Sequence, residues 1–170
     1  THDHADIFLS SRNGLRMPTL AEALVKFPNS KFNLDLKTKE AVAPTIALIK
    51  ELGCESRVLV SSFSGRRRRK AIKALPGVAT SPNALLVLRI WIATKLGESV
   101  MLWHLLKDID VLQIPTRIAF LRFDSKSFID IIHHYGVEIH YWTINDVDKA
   151  KRLKALGADG IVTDASKLMV

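Results

Sequence analysis

Asp35 and Lys37 are the sharpest chemistry-bearing pair in the sequence, two residues apart in Phe32-Asn33-Leu34-Asp35-Leu36-Lys37. A carboxylate of this kind can ligate a hard divalent cation such as Mg²⁺ or Ca²⁺. The compact ammonium of a lysine can hold a phosphate oxygen as a point charge. A plain surface ion pair accounts for the same two residues equally well, so the pair alone leaves both readings open. The segment alternates strictly, with Phe32, Leu34 and Leu36 on one face and Asn33, Asp35 and Lys37 on the other, which is the period of a half-buried strand.

The elements that would position this pair follow from the rest of the pattern. Pro18-Thr19-Leu20 opens a helix with Thr19 as cap and Glu22 as its capping-box partner. After the alternating strand, residues 40–52 read as a helix ended by Gly53, and Arg57 to Phe63 as a buried strand with a hydroxyl-rich tip. Residues 66–75 form a helix, and Val78-Ala79-Thr80 a weak strand. The most apolar stretch, residues 84–106, is interrupted by Arg89, Lys95, Gly97 and Glu98. A membrane span needs ~18 or more nearly uncharged apolar residues, so two helices broken near Gly97 are expected rather than a segment lying in a membrane. A strand at 111–115, a helix at 125–135, a strand at 137–142, a helix at 146–156 and a strand at 160–164 complete the order. Strands alternating with helices predict a parallel sheet with outer helices. Function in such folds gathers at the C-terminal strand ends. Those ends carry Asp35 and Lys37; Ser61, Ser62 and Phe63; Thr80; Gln113; Trp142, Thr143 and Asn145; and Asp164.

Composition sets the outer limits. The chain has 170 residues, 48% hydrophobic and 25% charged, enough for a folded domain and too apolar for a disordered one. Its formal charge of +8 suits phosphate-bearing partners without choosing among nucleic acid, lipid head groups and phosphodiesters. Cys54 is the single cysteine, which excludes an internal disulfide and a cysteine-based zinc site. The first residues contain no apolar signal core, so a cytoplasmic location is the expectation.

Six motifs in order give the sequence a family likeness. Met17 to Leu24 is similar to the "IPTLEE-L" helix of glycerophosphodiester phosphodiesterases, and Asn33 to Lys37 to their "N-I-E-I-K" strand. Arg57 to Phe63 resembles "V-I-S-S-F", Val111 to Pro115 "-L-Q-V-P", Val137 to Asn145 "V-H-V-W-T-V-N", and Gly157 to Asp164 "G-V-D-G-I-I-T-D". The resemblance implies a (β/α)₈ barrel of the TIM type that hydrolyses glycerophosphodiesters to an alcohol and glycerol 3-phosphate, with a divalent metal (Mg²⁺ or Ca²⁺) and two histidines. By position it makes Asp35 a metal ligand where the family usually has Glu. It makes Lys37 the phosphate contact and Phe63 and Trp142 pocket walls, and Gln113 joins them as a substrate-binding candidate.

The departures are as informative. The family's His-Arg-Gly strand, Glu-Asn-Thr helix start, Glu-x-Asp pair and His-Asp motif are not in their places. His2-Asp3 matches the last literally, yet lies too close to Pro18-Thr19-Leu20, and no catalytic histidine is assigned. His104, His133, His134 and His140 are expected to pack or face solvent. Arg66 to Arg69 is expected on a solvated outer helix rather than in a nucleic-acid or lipid patch.

A complete barrel takes roughly 250 residues, so the expectation is one domain over residues 1–170. It would be a partial barrel of about six parallel strands with outer helices, residues 1–17 being the remnant of an insertion loop. Open edges of that kind invite cover by a second copy. The chain alone is expected to be inactive, no nucleic-acid partner is expected, and a glycerophosphodiester is the expected substrate of the parent protein. The alternatives are a non-catalytic barrel that binds anionic lipid head groups or nucleic acid, and another phosphate-handling barrel such as a phosphatidylinositol-type phospholipase.

Overall fold

The computed structural model describes residues 17–168. The chain divides into two compact units, Thr1–Phe32 and Asn33–Val170, each described by itself. The His2-Asp3 pair lies outside the described residues. In the first unit, α1 (Leu20–Lys26) starts as its sequence predicts. The Thr19 hydroxyl accepts from the Glu22 N–H at 3.2 Å, and the Thr19 N–H donates to the Glu22 carboxylate at 2.8 Å. Each half of the box satisfies a backbone or side-chain group that helix ends otherwise leave to water.

The second unit is α/β with parallel sheets. From Asn33 on, β1 (Phe32–Asp35) is followed by α2 (Val42–Leu52), β2 (Val58–Ser61), α3 (Gly65–Ala74) and β3 (Ala79–Thr80). Then come α4 (Ala84–Leu96), α5 (Ser99–Leu106) and β4 (Val111–Ile114). A hairpin, β5 (Arg117–Ile118) and β6 (Leu121–Arg122), precedes α6 (Lys126–His134), β7 (Glu138–Tyr141), α7 (Val147–Leu156) and β8 (Gly160–Ile161). Two three-stranded sheets result, ordered β1-β2-β3 and β4-β7-β8. Pairing is parallel between β2 and β3, with Leu59 opposite Ala79, and along β4-β7-β8, where Gln113 faces His140 and His140 faces Gly160. The Asp110 N–H donates to the Thr80 carbonyl at 3.1 Å, and the Thr80 N–H to the Asp110 carboxylate at 2.8 Å. These bonds join the second sheet to the edge of the first.

Local signals set the boundaries. Asn83, Ser125 and Asp146 cap α4, α6 and α7 by accepting from N–H groups of the first turn. The apolar stretch does break into two helices, because Gly97 takes a left-handed conformation at φ 70° that ends α4. Apolar strand residues Val58, Val60, Leu112, Ile114, Ile139 and Tyr141 are buried. Around β4 and β7 the core is closed by Ile90, Leu106, Phe128, Ile129, Ile132 and Leu153 from α4 to α7.

Two findings differ from the sequence expectation. The first is the arginine run. Arg66 and Arg69 are exposed, but Arg67 is only partly so and Arg68 is buried. The Arg68 side chain donates from Nε to the Thr80 hydroxyl and from Nη2 to the Asp108 carbonyl, both at 3.0 Å. Burial lowers its proton affinity, Asp108 opposes that, and the guanidinium stays charged. The run is therefore half structural: Arg68, Ala71 and Leu75 share one buried helical stripe. The second is the β5-β6 hairpin, which turns at Ala119 with φ 50°.

Candidate functional site

The residues singled out as strand tips fall at the C-terminal ends of the strands. Asp35 is the last residue of β1 and Lys37 lies two further on; both are exposed. Phe63 stands two residues past the end of β2, 69% exposed. Gln113 is the third residue of β4 and Trp142 follows β7 directly.

The backbone that carries Lys37 is held firmly. The Leu36 N–H donates to the Ser61 carbonyl at 2.9 Å. The Leu36 carbonyl accepts from the Ser62 hydroxyl at 2.7 Å and from Arg67 Nε at 2.9 Å. Arg67 Nε also reaches the Ser62 hydroxyl at 3.0 Å. Arg67 thus ties the end of β1 to the end of β2 and fixes the peptide from which Lys37 departs. Sequence reasoning missed this role, because four consecutive arginines read as a solvated surface.

The side chains of Asp35 and Lys37 have no hydrogen-bond or ion-pair partner among the described residues. The surface ion pair that offered a plain account of them is not formed. Their charges are presented to solvent on a rigid strand end.

A second row crosses β4, β7 and β8. Gln113, His140 and Gly160 are register partners, so their side-chain directions share one face of the sheet. The His140 ring lies over Gly160 so closely that a Cβ there would fall 2.5 Å from Cδ2. His140 Nε2 also lies 3.2 Å from a Glu138 carboxylate oxygen. His140 therefore packs across the face below Trp142. The Trp142 N–H donates to the Ile114 carbonyl at 3.2 Å, and the Trp142-Thr143 peptide is cis.

Beyond these strands Asn145 organises the rim. Its carbonyl oxygen accepts from the Thr163 hydroxyl and from the Asp164 N–H, each at 2.9 Å, while its amide nitrogen donates to the Asp164 carboxylate at 3.4 Å. The loops after β7 and β8 are thereby held together.

Other charges serve the fold. Asp124 is buried and accepts from Arg122 at 2.7 Å and Arg152 at 2.8 Å. Burial alone would raise its carboxyl, but the hydrogen bonds and charge of the two arginines hold it below the ordinary range. Burial pushes the Tyr141 phenol up, and its hydroxyl donates to the Phe123 carbonyl at 2.7 Å. For Asp159, burial is likewise outweighed by the Ile139 N–H and by His133, both at 2.8 Å, and its carboxyl is lowered.

A metal does not fit the described residues by themselves. A hard divalent cation takes about six to eight oxygen ligands for Ca²⁺, or a near-octahedral set for Mg²⁺. Asp35 is a lone carboxylate, and no group of three or more His, Cys, Asp or Glu among the described residues is arranged to hold a metal.

Comparison with known proteins places this geometry in a family. The model of the glycerophosphoryl diester phosphodiesterase family matches residues 10–168, and the chain belongs to that family. It is 32% identical over 157 residues to the probable glycerophosphodiester phosphodiesterase 2 of Mycobacterium tuberculosis, covering 92% of this chain and 60% of the relative. It is 25% identical over 164 residues to a glycerophosphodiester phosphodiesterase of Caldanaerobacter subterraneus subsp. tengcongensis, covering 92% and 62%. The chain thus spans about three-fifths of the length of the curated relatives it matches. Among solved structures, a phosphodiesterase of Oleispira antarctica in complex with the product sn-glycerol-3-phosphate superposes with a TM-score of 0.66 at 23% identity, covering 91% of this chain and 60% of that one. A glycerophosphoryl diester phosphodiesterase domain from Mycobacterium tuberculosis gives a TM-score of 0.72 at 14% identity, covering 91% and 62%. These neighbours have the TIM-barrel fold, and the likeness extends to the α/β architecture with parallel sheets seen here.

Proposed function

We propose that this chain supplies the phosphate-holding side of a glycerophosphodiester phosphodiesterase, built on a partial barrel of six parallel strands. The reaction it serves splits a glycerophosphodiester into an alcohol and glycerol 3-phosphate. One observation carries the reading: in a chain of this family, Lys37 and Asp35 stand unpartnered among the described residues at the end of a clamped strand. A dianionic or monoanionic phosphate needs a cationic neighbour that is already in place, since a preorganised charge costs no rearrangement when negative charge builds up. Lys37 meets that need. In this reading Phe63 and Trp142 wall the substrate site, and the Gln113 amide can both donate to and accept from a glycerol hydroxyl. Asp35 takes part in metal binding only alongside ligands that the described residues do not provide.

The 170-residue chain alone is inactive in this reading. It lacks the His-Arg-Gly, Glu-x-Asp and Glu-Asn-Thr motifs at their family positions, and His140 packs over Gly160 beside Glu138. The anion-binding alternative has less to stand on, because Arg67 and Arg68 are engaged within the fold. Phosphorus NMR of glycerophosphocholine with Mg²⁺ or Ca²⁺ tests the proposal. Glycerol 3-phosphate is expected to accumulate with the full natural chain, to slow sharply with K37A, and to be absent with the 170-residue chain alone. Unchanged turnover in K37A, or none with the full natural chain, contradicts it.

A further inference from the structure

Helix α4 is apolar on both sides. Val87, Ile90 and Ala93 are buried against the core, as a helix of this fold requires. Its outer face carries Leu85, Leu88, Ile92 and Leu96 at spacings of three, four and four, and all are exposed, Leu85 by 65% and Leu96 by 67%. A helix apolar all round is ordinarily covered all round. The hairpin adds to the same region: Trp91 Nε1 of α4 donates to the Arg122 carbonyl at 3.2 Å, tying β6 to the helix. The hairpin tip presents Ile118 and Phe120, the latter 88% exposed.

The charge within α4 and the hairpin has one sign, an exposed Glu98 lying just beyond the end of α4. α4 contains Arg89 and Lys95 and no acidic residue, and the hairpin contains Arg117 and Arg122 and no acidic residue. Lys95 stacks on the Trp91 ring at 5.6 Å, keeping its charge beside the apolar stripe. Asp124, the acidic residue next to the hairpin, is buried between Arg122 and Arg152.

We infer that the outer face of α4 and the tip of the hairpin form a docking surface for an anionic lipid membrane. Exposed leucines and an aromatic tip supply the apolar contact, and the flanking arginines and lysine meet the negative head groups. No described helix is long and apolar enough to cross a membrane, and α4 has 13 residues, so the surface lies on the bilayer rather than spanning it. A second copy of the chain is a poorer occupant, since two such faces would bring like charges together. Further strands are poorer occupants too. Among the described residues the outer strands of the two joined sheets are β1 and β8, whereas α4 lies, with α5, in the connection between β3 and β4. The surface does not depend on the chain being catalytic.

Co-sedimentation of the full natural chain with vesicles of phosphatidylcholine and phosphatidylglycerol in equal parts, against vesicles of phosphatidylcholine alone, tests this. Binding to the anionic vesicles is expected, reduced several-fold by R89Q/K95Q. It should fall by more than about tenfold in L85S/I92S/L96S, because even one lost apolar contact of this size is worth around one factor of ten. If the triple variant does not fold, F120S carries the test, since its side chain touches little in the free protein; it too should weaken binding while the thermal midpoint stays unchanged. Absence of binding to anionic vesicles overturns the inference. So does a dimer in sedimentation equilibrium that the same substitutions dissociate.

Discussion

At the end of β1 the Asp35 carboxylate and the Lys37 ammonium are exposed and, among the described residues, without partners. Ahead of α6 the Asp124 carboxylate is buried and accepts from two guanidinium groups, and in α3 the Arg68 side chain is buried and donates to two oxygens. Each region holds carboxylate and cationic side chains, in opposite states of satisfaction. Charges that hold elements together find hydrogen-bond partners within the chain, as burial demands. Charges at the strand end have not, although the backbone beneath them is clamped by Arg67 and Ser62. A rigid mount with an unfilled head is the arrangement expected of a ligand contact.

The sharpest way to break this contrast is at Arg68. R68A removes donors from Thr80 and from the Asp108 carbonyl in a buried setting and should destabilise by about 2–4 kcal/mol in urea unfolding. An unchanged midpoint would mean that the run is a surface feature after all. Next in size is G160A. The new methyl meets the His140 ring, and overpacking of this kind costs about 1–3 kcal/mol. Pairing it with H140A should recover much of the loss, a coupling that a double-mutant cycle measures directly.

D124N comes third, at about 1–2 kcal/mol, because Arg122 and Arg152 are half-exposed and regain water when the charge is lost. Its pH signature has a definite sign. The Asp124 and Asp159 carboxyls are held below the ordinary value of 3.8. Their contribution is therefore complete above that value and is lost as pH falls through the lowered native values. Acid titration of the unfolding free energy should show a drop below pH 3.8 that D124N makes shallower. D35N and K37A sit at the other end of the scale. Groups without native partners should change stability by no more than about 0.5 kcal/mol.

Much of the architecture was legible because its signals are local. Thr19-Leu20-Ala21-Glu22, Asp146 and Gly97 each dictate a helix end through the hydrogen bonds of one turn. The end of β1 was legible from alternation, and that of β2 from an apolar run ending in hydroxyls. What escaped the sequence depends on long-range partners or on weak turn chemistry. Arg68 finds Thr80 and Asp108, twelve and forty residues away. Its place in the buried stripe with Ala71 and Leu75 was a readable sign, masked by three charged neighbours. Asp124 reaches Arg152, 28 residues on, with no periodic clue. The hairpin has strands of two residues and turns through Ala119, without the Asn-Gly or Asp-Gly that marks such turns. In the site, the Asp35 and Lys37 pair was visible as a spacing. That the two would stay apart from each other, and that Arg67 would anchor the peptide between them, was not.

The central claim is that Lys37 is held open for a phosphate. Calorimetric titration of the 170-residue chain with sn-glycerol 3-phosphate, in parallel with K37A and with urea unfolding of both, tests it most directly. The predicted result is measurable binding that K37A weakens by about tenfold or more, the worth of one charge-assisted contact, at an unaltered unfolding midpoint. Equal binding by both proteins, or binding by neither, would contradict it.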